Sequence, residues 1–144
     1  MANNQKEECI FCKIAKDEIP CAKIWESENY LAFLDINPIT QGMTLVIPKN
    51  HKSSDIFQNS DEEINGIMLA AKKVSRMLTK SLPIDRVGVI FEGVEVPHLH
   101  IKLIPMKKGE NIRLLLNSHF AKPDTEELQR LAAMIRNSEE QYVN

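Results

Sequence analysis

The sequence has no apolar run approaching the ~20 residues that a membrane-spanning helix requires. Its opening stretch, MANNQKEE, is polar and has none of the apolar core of a secretory leader. These two absences point to a soluble protein with no membrane partner, residing in the cytoplasm. An even set of cysteines is also missing. Cys9, Cys12 and Cys21 are three, and an odd count without an export signal reads as thiols or metal ligands, not disulfides. Excess charge of either sign is lacking, with a formal net charge of −2. That argues against a broad nucleic-acid-binding surface while leaving room for a local basic pocket that takes a phosphate. There is no internal repeat and no low-complexity linker.

What is present is ordinary for a globular domain: 144 residues, 43% hydrophobic and 26% charged. A chain of this length buries roughly 68–70% of its unfolded surface without help from disulfides. Residues 1–8 read as a flexible tail, and 9–144 as a single domain.

The periodicity predicts an α+β protein. A short helix over 9–16 places Ile10, Phe11 and Ile14 on its apolar side. Ala22–Glu26 and Tyr30–Leu34 read as two strands, with Ser27, Glu28 and Asn29 making the hairpin between them. Asp35–Gly42, DINPITQG, is a loop, and Met43–Ile47 is a strand closed by Pro48. The long helix is the clearest element. Ser60 and Glu63 fit a capping box, Ile64, Ile67, Met68, Ala71, Val74 and Leu78 follow helical spacing, and Pro83 bounds it. Arg86–Phe91 and Val96–Ile104 are two more strands with Gly93 in the turn between them. Residues 105–122 give no clear pattern. A last helix starts from the N-cap Asp124 and carries Leu128, Leu131 and Ile135.

The chemistry gathers on VPHLHIKLI, residues 96–104. Alternation along a strand puts Leu99, Ile101 and Leu103 on a core face. His98, His100 and Lys102 share the opposite face, each roughly 6.6 Å from the next, as a ridge able to face a phosphate or simply solvent. A second histidine, His51, leaves the strand segment LVIPKNH. The third element is Cys9-Ile10-Phe11-Cys12. A CxxC can be a redox pair, half of a zinc site or neither, and the redox reading lacks the thioredoxin-like context it wants. Two thiolates with two imidazoles would complete a tetrahedral Cys₂His₂ site, though the spacing is not that of a zinc finger.

Taken together, CIFCKI, IPCAKIWESENYLAFLDINPITQGMTLVIPKNH and PHLHIKLIP make the chain resemble the histidine-triad (HIT) family across residues 9–105. The family motif is His-φ-His-φ-His-φ-φ, with φ apolar. The resemblance implies a HIT-like fold: a five-stranded antiparallel sheet with one long helix and a C-terminal helix, paired as a homodimer through the long helices. It implies a purine nucleotide, the AMP or GMP moiety, bound against the sheet with its α-phosphate beside the motif. His100 matches the nucleophile, and Lys102 stands at the third catalytic position. Cys9, Cys12, His51 and His98 match the ligands of a structural zinc ion in the CxxC-containing branch. Asp35 matches the acidic residue that holds the ribose, while Ile10, Phe11, Ile14, Phe33 and Ile36 match the apolar wall around the base.

The departures are specific. Lys102 replaces the third histidine, and Gly93-Val94-Glu95-Val96 replaces the usual Gly-Gln stretch. The resemblance implies hydrolysis or nucleotidyl transfer at the α-phosphate of nucleoside phosphoramidates or dinucleoside polyphosphates, through a nucleotidyl-histidine. Lys102 keeps a rival open, a nucleotide-binding module with little or no turnover. A zinc-stabilised interaction protein is the third reading.

Overall fold

The computed structural model describes residues 9–140; the tail expected over 1–8 lies outside them. The elements in chain order are helix α1 (Ile10–Ala15), strands β1 (Lys23–Glu26), β2 (Tyr30–Leu34) and β3 (Thr44–Pro48), a single 3₁₀ turn (Ile56–Gln58), helix α2 (Asp61–Ser81), strands β4 (Arg86–Ile90) and β5 (Ile101–Met106), and helices α3 (Ile112–Asn117) and α4 (Thr125–Glu140). The strands form one five-stranded sheet in the order β1-β2-β3-β5-β4, and every neighbouring pair is antiparallel. Among the described residues no helix is long and apolar enough to cross a membrane.

Local chemistry accounts for the boundaries. Ser27 closes the β1–β2 hairpin, accepting from the Tyr30 N–H at 3.1 Å on its hydroxyl while its own N–H donates to the Tyr30 carbonyl at 2.9 Å. The Ser60 hydroxyl caps α2 by accepting from the Glu63 N–H, but the Glu63 carboxylate pairs with Lys52 at 3.2 Å, so it bridges to the β3 exit. The full capping box belongs to α4, where the Asp124 carboxylate accepts from the Glu127 N–H and the Glu127 carboxylate from the Asp124 N–H, both at 2.8 Å. Gly42 sits at φ 83° with Leu82 packed against its α-carbon, a position only a glycine fills without strain.

β3 is the central strand, and all five of its residues are buried, which explains why it reads as a continuous apolar run. One face of the sheet presents Ala32, Leu34, Val46, Ile101 and Leu103 to Ile67, Val74 and Leu78 of α2 and to Leu128, Ala132 and Ile135 of α4. The other face is covered in two separate patches. α1 packs Phe11 and Ile14 on Leu31, Phe33, Leu45 and Ile47. α3 packs Leu115 on Met43, Ile104 and Met106. Between the patches lies Lys102, which pairs across the sheet with Leu45 and Ile90.

Two expectations need correction. The strand expected over Val96–Ile104 begins only at Ile101 and runs on to Met106. His98 and His100 lie on an irregular lead-in, bent through His98, that pairs outside the ladder: the His98 N–H donates to the Val96 carbonyl and the Leu99 N–H to the Lys52 carbonyl. The facing pattern survives this change, with Leu99, Ile101 and Leu103 all in the main core. The stretch without clear pattern, 105–122, contains the end of β5 and helix α3.

Candidate functional site

Cys9 is the N-cap of α1, and its sulfur accepts from the Cys12 N–H at 3.4 Å. The CxxC spacing therefore turns both thiols to one side of the first helical turn. His51 arrives from the exit of β3, and His98 from the lead-in to β5. Nδ1 of His98 lies 3.4 Å from Sγ of both Cys9 and Cys12. Nδ1 of His51 lies 3.3 Å from Sγ of Cys12. One donor atom from each of the four residues falls within 4.8 Å of all the others. Bonds of about 2.3 Å to sulfur and 2.0–2.1 Å to nitrogen in a tetrahedral site place adjacent donors roughly 3.3–3.8 Å apart, so the cluster could hold one metal ion with little movement.

The protonation pattern suits a metal. Nε2 of His98 donates to the Pro48 carbonyl at 2.8 Å, which leaves Nδ1 with its lone pair toward the thiols. Burial pushes the His98 imidazole down to about 4, with the rings of His51 and His100 adding to the effect and the Pro48 bond opposing it. His98 is 0% exposed. It is thus no outward ridge residue, and belongs to the cluster.

His100 is 4% exposed and faces the same side of the sheet. Its Nδ1 donates to the main-chain carbonyl of His98 at 2.7 Å, so Nε2 is the unprotonated nitrogen of the neutral ring. Burial lowers its pKa from the ordinary imidazole value, and Lys102 lowers it further; the His98 carbonyl, Asp35 and Glu95 act in the opposite direction. The Phe11 ring meets His100 edge-on, with centroids 5.2 Å apart and planes at 77°. Two positions on from His100, the Lys102 side chain is 17% exposed and its ammonium lies 3.7 Å from the Glu92 carboxylate.

The residues expected to wall a base divide. Phe11, Ile14 and Phe33 are buried together beneath α1, whereas Ile10 is 45% and Ile36 58% exposed. The carboxylate of Asp35, just past β2, accepts from the Asn37 N–H at 2.9 Å. Cys21 is half-buried and stands apart from the four-residue cluster. Sequence reasoning did not find Glu92, which no spacing rule ties to Lys102, nor the main-chain acceptors of Pro48 and His98. Carbonyl acceptors carry no residue-type signal, although the proline stop before His51 marked where one of them lies.

Comparison with known proteins identifies relatives of the whole fold. The family model described as HIT domain matches residues 16–109. A Bacillus subtilis protein named Protein hit is 34% identical over 135 residues, covering 90% of this chain and 92% of that protein. A Schizosaccharomyces pombe adenosine 5'-monophosphoramidase is 39% identical over 107 residues, covering 71% of this chain and 77% of that protein. Among solved structures, a zinc-bound histidine triad family protein from Mycobacterium smegmatis superposes with a TM-score of 0.78 at 28% identity, covering 94% of this chain and 96% of that one.

The cluster is expected to take up about one divalent metal ion per chain. Metal analysis after dialysis against zinc checks this, and Cys9→Ser should lose both the metal and several degrees of melting temperature. Equal metal content in the variant would show that the four residues are not the ligands.

Proposed function

We propose, since the chain belongs to the HIT domain family, that it hydrolyses nucleoside phosphoramidates at the α-phosphorus through a nucleotidyl-histidine on His100. The observation that carries this is the bond from His100 Nδ1 to the His98 carbonyl at 2.7 Å. A neutral imidazole fixed by one nitrogen offers the other as a nucleophile. In the first half-reaction Nε2 bonds to phosphorus while the bond from phosphorus to the leaving amine breaks, and the amine takes its proton from the Lys102 ammonium or from solvent. In the second, water oxygen bonds to phosphorus and gives a proton back to Lys102 or to solvent, the N–P bond breaks, its electron pair returns to Nε2, and a nucleoside monophosphate leaves.

The surroundings favour an amine leaving group over a polyphosphate. The cation of Lys102 is paired with Glu92, and the carboxylates of Asp35 and Glu95 act on His100. Such a site gains little from a long polyanion. The S. pombe relative named adenosine 5'-monophosphoramidase supports the same class and a purine base. Phe11, Ile14 and Phe33 supply an apolar wall, Ile10 and Ile36 apolar surface open to a ligand, and Asp35 a carboxylate for the ribose hydroxyls.

Cys9, Cys12, His51 and His98 would hold zinc, as the bound metal of the M. smegmatis neighbour suggests. With four protein ligands and no open position, zinc there contributes folding stability, not Lewis-acid chemistry. The protein acts as a homodimer: α2 leaves Met68 and Leu69 exposed, and the edge strand β4 exposes Val89.

Lys102 sets the limit on rate. An imidazole at that position both donates and accepts near neutral pH, whereas an ammonium has three donors and no acceptor. It can hold a phosphate oxygen as a point charge, but exchanges the leaving group's proton poorly. Among phosphoramidates, those whose amines need little protonation to depart are therefore preferred over alkylamines.

Three measurements test this reading. His100→Asn should retain the fold and bind AMP while losing turnover on an adenosine phosphoramidate by at least about 10³-fold; full activity would refute the nucleophile. Lys102→His should raise kcat on the same substrate and leave the AMP dissociation constant within about twofold; an unchanged or lower kcat would show that lysine is no handicap. Light scattering at micromolar concentration should give twice the chain mass, and a clean monomer would remove the dimer.

A further inference from the structure

Phe11 lies between the two cysteines of the cluster, two residues after Cys9 and next to Cys12. Its ring touches more than the wall of a binding pocket. It meets His98 edge-on at 5.9 Å and 85°, His100 at 5.2 Å and 77°, and Phe33 at 5.8 Å and 69°. One aromatic ring therefore contacts a member of the metal cluster and the nucleophile at once. We propose that Phe11 is a positioning residue that transmits the order of the Cys9–Cys12–His51–His98 cluster to the imidazole of His100. The proposal deepens the hydrolase reading and rests on it for the role of His100.

The argument starts from what holds the His100 ring. Its side chain ends in a torsion that is broad and roughly two-fold. The single bond from Nδ1 to the His98 carbonyl selects one flip state but leaves the ring free to rock about that bond. A second constraint must come from a surface, and the Phe11 ring stands against it in a T-shaped contact. Edge-to-face packing gives such a contact a preferred angle as well as a distance.

Phe11 in turn needs a fixed seat. It belongs to a helix of only six residues, Ile10–Ala15, far below the length that is stable by itself. The seat has two supports. One is the apolar patch of Leu31, Phe33, Leu45 and Ile47. The other is the Cys–His cluster, which binds the first turn of the helix to both the β3 exit and the β5 lead-in. A metal held by the four residues locks the second support. Without it the thiols and imidazoles face each other at only hydrogen-bond strength, and the ring of Phe11 gains freedom that His100 shares. The cluster thus sets the direction of Nε2 without touching substrate.

The full-length chain, labelled with ¹⁵N and loaded with zinc, tests this by long-range ¹H–¹⁵N imidazole spectra together with steady-state kinetics. In the loaded wild type, His100 should appear as one sharp tautomer protonated at Nδ1. Phe11→Leu keeps apolar volume but loses the ring edge. With its metal still bound, it should show His100 ring signals broadened by rocking about the Nδ1 bond, a kcat lower by about tenfold or more, and a smaller change in KM. Phe11→Tyr should restore both signals. Ile14→Val, which alters the same wall without touching His100, should leave the His100 spectrum unchanged. Removing zinc from the wild type should reproduce the Phe11→Leu spectrum. This arm also decides the matter if that variant folds poorly. His100 ring signals as sharp in Phe11→Leu or in the chelated wild type as in the loaded wild type would overturn the proposal. Absence of turnover in the wild type would instead sink the hydrolase reading, while the spectra would still report whether Phe11 orders His100.

Discussion

The site depends on the way His98 is bonded. Each of its polar atoms has a different partner. The N–H goes to the Val96 carbonyl, Nε2 to the Pro48 carbonyl, Nδ1 to the two thiols, and the carbonyl accepts from His100. The residue is wholly buried, so none of these groups can turn to water instead. A buried polar group that loses its partner costs about 1–3 kcal/mol, and His98 would expose several such groups at once. It is the junction at which α1, the end of β3 and the lead-in to β5 meet. The position of His100 follows from that junction.

Much of this was legible in the sequence. The cap residues Ser60 and Asp124, the helical spacing from Ile64 to Leu78 and the apolar run of β3 gave their elements directly. The alternation Leu99, Ile101, Leu103 gave the core face correctly even though the strand starts five residues later than expected, at Ile101 rather than Val96. Alternation reports which way side chains point; it cannot report whether the backbone N–H groups find a neighbouring strand or, as at Leu99, the carbonyl of Lys52. The short helix α3 was hidden because its face is divided: Leu115 is buried while Leu114 and Leu116 beside it are exposed. The four members of the Cys–His cluster could be named from their residue types and the family resemblance, but that two thiols and two imidazoles converge from three distant segments is a product of the tertiary fold.

Charge around the motif is arranged differently from its apolar framework. The framework of Phe11, Phe33 and Leu45 is local to two neighbouring strands and one helix, and its residue types announce it. The pairing of Lys102 with Glu92 joins the start of β5 to the residues just beyond β4, and depends on how the β4–β5 connection folds back. Gly93 allows that return: it has φ 71° and its α-carbon lies against the Ser54 backbone, where a side chain would collide. A lysine in the third position therefore comes with its own counter-charge, and the two belong to one change in the electrostatics of the site.

The strand order carries a consequence for how the molecule comes into being. β1, β2 and β3 are neighbours in the chain as well as in the sheet, so their pairing closes only short loops. β5 must then enter beside β3 after everything from Lys49 to His100, including the long helix, has been laid down. Cys9 and His98, 89 residues apart, meet only when that distant pairing closes. Long-range closures of this kind are the slow ones, because chain entropy is lost before contacts repay it. A nascent chain thus carries its thiols open to the surroundings through most of its synthesis. The cage that shelters them exists only once the last strand of the sheet is in place.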